Sequence, residues 1–378
     1  MSYHLQIYRT ASELPESWNS VIGKHNIMLS REYFNILEIS CPKNMKCYFM
    51  AVFSDGDKEL VGGALFQYLD FIGHQTFQES GFLYSVRNFF TKWFNKDILI
   101  LGNNMLTGQN GFYFDTSRIT VEEVILLLEE AVQKMQKEIR KTAMVIYKDY
   151  QPDFIRYFQG KSHSKYFRFS VQPNMILRLK ENWMDSEDYI NAFSTKYRSR
   201  AQSARKKNID IEKAELSLRQ IHAYRREMNI LYQNVAENAS FNTFFLAEDH
   251  FESMKEYMNE KFRVFGYFSG EKLIGFYTLI LNNRDIDTYF LGYDKLLQKE
   301  KQLYLNMLLD MVEFGINNRF SRIIFGRTAL EIKSTIGAEP TEIFGLIKHR
   351  HPLINYFMKN IFPYVSPETD WIQRKPFK

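Results

Sequence analysis

Two stretches of the chain carry one hydrophobic pattern. Residues 47–68, "CYFMAVFSDGDKELVGGALFQY", give an apolar run, a polar turn built on Asp55 and Gly56, and a second apolar run. Residues 262–281, "FRVFGYFSGEKLIGFYTLIL", repeat this with a shorter turn. Alternation around a turn of that composition predicts a β-hairpin in each place. The first hairpin is followed by the strand-like "DILILG", a glycine-bearing loop, the segment 120–141 with apolar residues at helical spacing, and "TAMVIYKDY". The second is followed by "DIDTYFLGYD", a helical segment with Leu303, Met307, Leu308, Met311 and Val312 on one stripe, and "SRIIFGR". Both halves therefore read strand, strand, strand, helix, strand, each preceded by helical material such as "LSREYFNILEIS" or "RQIHAYRREMNILYQNVAEN". The prediction is an α/β (α+β) protein of two tandem units, residues 1–170 and 171–378, each with a mixed, largely antiparallel sheet flanked by helices.

Composition adds bounds. The 378 residues exceed one ordinary domain, and 45% hydrophobic with 25% charged residues describes a globular protein. The amino terminus lacks the order of a secretory signal, and no apolar run reaches the roughly 20 residues of a bilayer span. Two cysteines, Cys41 and Cys47, match neither a disulfide framework nor a zinc pattern. The expectation is a cytoplasmic protein without a metal. His349 and His351 lack a third ligand in view and read as a strand end.

A net charge of +5 is too small to mark a dedicated nucleic-acid binder, so electrostatic function must be local. It concentrates in "KYRSRAQSARKKN", where Lys196, Arg198, Arg200, Arg205, Lys206 and Lys207 stand without an acid. Ile190, Phe193, Tyr197, Ala201 and Ala204 recur at three and four residues, so a helix over 188–207 is docked by one face with charge along both edges. A basic edge suits a phosphate-bearing ligand, while a solvated helix face is the competing reading.

The order of elements, with "FSTKYRSRAQSARKKNIDIEKA" and "FGRTALEIKSTIGAEP", resembles the GNAT superfamily and, within it, tandem FemABX-like proteins. The first segment is similar to the basic helix and following strand that open the second unit of such proteins. In the second segment Lys333 stands four residues before Gly337, as the superfamily pattern has it. The resemblance covers nearly all of the chain. It implies transfer of an acyl group from a thioester, or of an aminoacyl group from an ester, to an amine. The co-substrate is then acyl-CoA or aminoacyl-tRNA, with no tightly bound cofactor, and the acceptor is a small molecule or a cell-envelope precursor of peptidoglycan type.

Acyl transfer needs the amine held against the carbonyl, a proton acceptor and donors for the oxyanion. Lys333 is the candidate cation, with Tyr289, Tyr293 and Glu331 as candidates for proton handling or orientation. Gly292, near the end of "DIDTYFLGYD", is expected to form a bulge that splays this strand from "RIIFG" and frees backbone N–H groups. Lys196, Tyr197, Arg198, Arg205, Arg327 and Thr328 complete the expected substrate-binding set. One departure bears on the donor: no glycine occurs from Lys295 to Met307, where ordinary GNAT domains cradle the CoA pyrophosphate, whereas Gly102, Gly108 and Gly111 in the first half make a loop flexible enough to cradle an anion, with a plain turn as the favoured reading. The break "ENASFNTFF" also leaves no long helical hairpin of the kind that grips tRNA. The alternative function is a non-catalytic tandem GNAT protein whose basic helix binds nucleic acid or anionic glycan.

Overall fold

A computed structural model describes residues 2–70, 97–158, 160, 163–238, 242–365 and 370–378. The chain divides into two units, one of residues 1–172, 240–247 and 342–368, the other of 173–239, 248–341 and 369–378. Residues 342–368 thus belong to the first unit and not, as the boundary at 170 had it, to the second.

In the first unit, β1 (Tyr3–Tyr8) pairs with β2 (Met45–Ser54), and β2 with β3 (Leu60–Asp70), after helix α1 (Arg31–Ile39). Strand β3 is flanked by two short strands, β4 (Asp97–Leu101) and β5 (Phe112–Phe114), which pair with successive parts of it. Helix α2 (Val121–Lys134) follows, opened by a reciprocal cap in which Thr120 accepts from the Glu123 amide and the Glu123 carboxylate accepts from the Thr120 amide. It leads to β6 (Met144–Tyr150), parallel to β4, and then to α3 (Pro152–Ile155) and β7 (Phe167–Phe169). The late strand β15 (Phe344–His349) lies antiparallel between β6 and β7. Its Leu346 is buried among Tyr147, Tyr150 and Phe158. That burial of apolar side chains is why the segment leaves the unit that its sequence position suggests.

The second unit repeats the scheme. β8 (Asn174–Arg178), α4 (Ser186–Asn191), α5 (Thr195–Lys207) and β9 (Glu212–Glu215) open it, and α6 (Leu218–Ala223), α7 (Arg225–Ala236) and α8 (His250–Met258) come next. The hairpin β10 (Phe262–Ser269) and β11 (Lys272–Asn282), then β12 (Asp285–Tyr293), α9 (Lys295–Lys301), α10 (Leu303–Asn317), β13 (Arg322–Gly326), α11 (Leu330–Thr335) and β14 (Glu339–Thr341) complete it. The sheet order is β14-β8-β13-β12-β11-β10-β9, and only β12 and β13 run parallel. In both units a hairpin, a third strand and a parallel fourth strand reached through an amphipathic helix occur in that order, so the repeat predicted from the hydrophobic pattern is a repeat of topology. The face of α10 bearing Leu303, Met307, Leu308, Met311 and Val312 is buried, as the spacing predicts.

Candidate functional site

The second unit contains a break in its own sheet. β12 and β13 pair only from Asp285 with Arg322 to Asp287 with Ile324, after which the ladder stops. On the other side of β12 the register with β11 shifts between Tyr277 and Leu279, so that Tyr289 and Phe290 together oppose Thr278, whose hydroxyl donates to the Phe290 carbonyl at 2.7 Å. A bulge of this kind bends the strand that carries it. The expected parting of these two strands is therefore present, but the bulge at Tyr289–Phe290 and the end of the ladder at Asp287 both precede Gly292. Gly292 sits in register with Phe276 and has another use: a Cβ there would lie 2.4 Å from the Leu231 carbonyl carbon and 2.5 Å from the Tyr232 amide nitrogen. Glycine is what lets α7 lie directly on β12, which is a packing role and not a substrate contact.

Beyond Ile324, β13 runs into a loop in which Gly326, Thr328 and Ala329 all have positive φ, at 70°, 70° and 46°. A β-branched residue in that region is strained by about 1–3 kcal/mol and persists only where its surroundings hold it. Lys333 is what holds this loop. It is 4% exposed, and its Nζ lies 2.7 Å from the carbonyl oxygen of Phe325, 3.4 Å from that of Gly326 and 2.7 Å from that of Arg327. Burial pushes its pKa down to about 7. Three carbonyl acceptors, one for each N–H of an ammonium, act against that push.

The expected neighbours of Lys333 distribute as follows. Arg327 is half-buried at the turn, and burial lowers its pKa. Thr328 is exposed on the strained loop. Glu331 points away from Lys333 and accepts from Arg374 at 2.5 and 3.0 Å, so it is a surface ion-pair partner and not a group beside the amine. On β12, the Tyr289 hydroxyl meets Nε2 of the fully buried His250 at 2.9 Å, and half-buried Tyr293, raised in pKa by burial, stands near Tyr304 with ring centroids 6.2 Å apart.

Asp287 was missed. It occupies the last rung of the β12–β13 ladder, is 3% exposed and accepts from Asn282 Nδ2 at 3.3 Å. Burial is the main reason its pKa is pushed up to about 7. The signal was available in "DIDTYF", where an acid stands inside a run that otherwise reads as a buried strand.

The basic segment forms two helices, α4 and α5, where one over 188–207 was expected. The chain turns at Ala192–Ser194 because the Ser194 amide bonds to the Pro376 carbonyl at 2.8 Å and Phe193 bridges to Phe377. Phe193, Ala201 and Ala204 are buried and Tyr197 is half-buried, so the docked stripe is present. Arg205 is not available to a phosphate: it pairs with Asp310 and, at 3.0 Å, with Glu313 on α10, while Lys213 reaches Asp310 at 2.8 Å. Arg198 donates to the Phe193 carbonyl at 3.1 Å. Lys196 lies in solvent with its Nζ 5.7 Å from the Tyr197 ring centroid.

A cavity of about 390 Å³ is lined by Ile190, Ala201, Gln202, Arg205 and Lys206. Another of about 420 Å³ has Phe265, Tyr277 and Phe314 among its walls, with Asp310 and Glu313. Neither is lined by Lys333, Arg198 or the end of β12. The candidate residues thus fall into two groups, one around the β12–β13 opening and one on α5.

Two loops bear on the donor. Where a glycine loop would hold a pyrophosphate, the second unit has α9, whose first turn is capped by the Asp294 carboxylate through the Leu296 amide at 2.9 Å. An acid at that place disfavours an anion. In the first unit three N–H groups of the loop 102–111 are taken by side chains of that unit: Asn104 donates to Gln67 on β3, Met105 to the Asn103 side chain and Gly108 to the Asp149 carboxylate on β6, at 2.6, 3.0 and 3.1 Å. These bonds tie it down as a turn, in keeping with the favoured reading of its glycines. Among the described residues, no group of three His, Cys, Asp or Glu side chains is arranged to hold a metal, and no helix is long and apolar enough to cross a membrane.

The sequence matches no protein-family model and no curated protein. Solved structures do resemble it. FemX aligns with a TM-score of 0.55 at 12% identity, over 94% of this chain and 99% of that one. The C-terminal domain of a putative lysylphosphatidylglycerol synthetase from Agrobacterium fabrum aligns at 0.53 and 8% identity, over 96% and 100%. A tandem GNAT protein from the clavulanic acid biosynthesis pathway aligns at 0.50 and 9% identity, over 93% and 99%. With the repeated topology and the parted strands of the second unit, these likenesses identify the chain's fold as the tandem GNAT fold of FemX-like proteins.

Proposed function

We propose that this protein is an acyltransferase or aminoacyltransferase that moves a group from an activated donor to an amine, with its reacting centre in the second unit. The observation that carries this reading is the opening of β12 from β13 after Asp287 and Ile324. Strand backbone without a ladder partner can bind an extended donor, and the strained turn at 326–329 supports backbone held ready for a ligand. Asp287, buried and close to neutral pKa, is suited to take up the acceptor's proton. Lys333 is a positioning residue that fixes the end of β13 through three carbonyls. We assign substrate contact at that turn to Arg327 and Thr328, and orientation along β12 to Tyr289 and Tyr293.

Helix α9 with Asp294 in place of a glycine loop supports a donor that is not gripped by its pyrophosphate in the usual way, such as an aminoacyl ester. A cell-envelope precursor is the acceptor class that we favour, from the FemABX-like resemblance of the sequence. Lys196, exposed on α5, is available to a phosphorylated ligand, whereas Arg205 is already neutralised. The test is a thermal-shift titration with acyl-CoA, charged tRNA and nucleotide-linked muropeptide, followed by a transfer assay with whichever stabilises. Stabilisation by a donor that Asp287→Asn leaves able to bind but unable to react is the expected result. Response to none of the three, with salt-dependent binding to plain nucleic acid, would overturn the enzyme reading.

A further inference from the structure

The first unit ends in a feature that transfer chemistry does not use. After β15 the chain enters two short helices, α12 (Pro352–Tyr356) and α13 (Met358–Val365). At their junction Leu353, Tyr356 and Phe357 are 57%, 76% and 44% exposed, and the two rings stand edge to face with centroids 5.0 Å apart. Three large side chains left in water within five residues make this tip a candidate docking surface.

The tip is built and not loosely attached. Asn355, on α12, accepts from the His349 amide at 2.8 Å and donates to the Lys165 carbonyl at 2.8 Å, and the Arg350 amide donates to the Ala143 carbonyl at 2.7 Å. Met358 and Ile361 bury the other side of the junction. The exposed trio is therefore held outward by the fold.

Charge decides what the partner is. Between Glu342 and Glu368 the sequence has no acid, but it has Lys348, Arg350, Lys359 and two histidines. Arg350, Lys359 and Lys141, the last on the segment that runs into β6, are exposed. The acids at the neighbouring strand ends, Asp70 of β3 and Asp97 of β4, are held by Arg140 at 3.1 and 2.5 Å, and exposed Glu138 is followed by Arg140 and Lys141. Apolar and aromatic side chains projecting from a cationic collar are the complement of a bilayer surface with anionic headgroups: the rings and Leu353 enter the interface while the cations meet phosphates. A nucleic acid would use the collar but not the leucine, and a protein partner would leave the cations unmatched unless it brought acids.

We propose that the 350–359 tip docks the protein peripherally on an anionic lipid bilayer. This inference does not rest on the transfer reading, and either can fail alone. The test is sedimentation of the full chain with vesicles of phosphatidylcholine alone and of phosphatidylcholine with phosphatidylglycerol. Binding to the anionic vesicles, weakened by salt, is expected. Leu353→Ser with Tyr356→Ser and Phe357→Ser should lower it by about tenfold or more, and Arg350→Glu with Lys359→Glu by at least roughly fivefold for each cation removed. These side chains are exposed, so circular dichroism and melting should match the parent, and the two variants report independently. Equal binding to both vesicle types, or unchanged binding by both variants, would overturn the proposal. So would loss, in the serine variant, of a dimer found without lipid, which would assign the tip to a second copy; binding of RNA in preference to vesicles would do the same.

Discussion

Replacing Lys333 with methionine keeps an unbranched stem in a buried site and removes the amine. In the folded chain this amine is 4% exposed and held by the carbonyls of Phe325, Gly326 and Arg327, and burial lowers its pKa from 10.5 to about 7. Between those two values the unfolded chain binds one more proton than the folded chain. Stability therefore rises with pH across that window, by about 1.4 kcal/mol per unit at its steepest, and is lost as pH falls toward 7. From pH 7 to 9 the gain amounts to about 2 kcal/mol, which the methionine variant cannot show. Urea unfolding at pH 7, 8 and 9 reads this as a midpoint that climbs for the parent relative to Lys333→Met at constant slope. Parallel pH profiles would refute the reasoning. They would mean that the three carbonyls keep the amine as an ammonium throughout, and that a fixed cation stands at the open strand end.

Asp287 should behave in the opposite sense. Its folded pKa is about 7 against an ordinary value of 3.8, so the folded chain holds the extra proton and stability falls as pH rises from about 4 to 7. Asp287→Asn should flatten that fall, worth up to about 4 kcal/mol, in denaturant melts across this range, and identical profiles would show the carboxyl to be solvated. Gly292→Ala should destabilise by about 1–3 kcal/mol, because the new methyl meets backbone atoms of Leu231 and Tyr232 that no rotamer change can move. A loss below about 0.5 kcal/mol would mean that α7 is free to shift away from β12.

Much of the architecture was legible along the chain. Alternation around the turns at Asp55–Gly56 and Gly270 specifies the hairpins, and the three-and-four spacing of Leu303 to Val312 specifies α10, because these signals are local. The docked stripe of α5 was readable for the same reason, through Ala201 and Ala204. The break before α5 was not, since it depends on a hydrogen bond from Ser194 to Pro376 across most of the second unit's sequence.

The site was less legible. Position in the sequence placed Lys333, Arg327 and Thr328 at the end of the last core strand, but did not say what each touches. Glu331 and Lys333 are two residues apart on a short helix, and that spacing sends them to different sides, one to Arg374 and one to the carbonyls of β13. Asp287 shows the reverse case, a residue whose strand setting was visible and whose burial was not.

By itself, then, the sequence determined the two-unit repeat, its hairpins and the docking stripes of α5 and α10, because period and turn chemistry act over a few residues. Tertiary structure alone decided that 342–368 complete the first sheet, that the β12–β13 ladder ends at Asp287, and that Arg205 is neutralised while Lys333 is buried. Each of these is set by which distant backbone or charge comes within a few ångströms, and pairing, desolvation and charge compensation are properties of that distance and not of order along the chain.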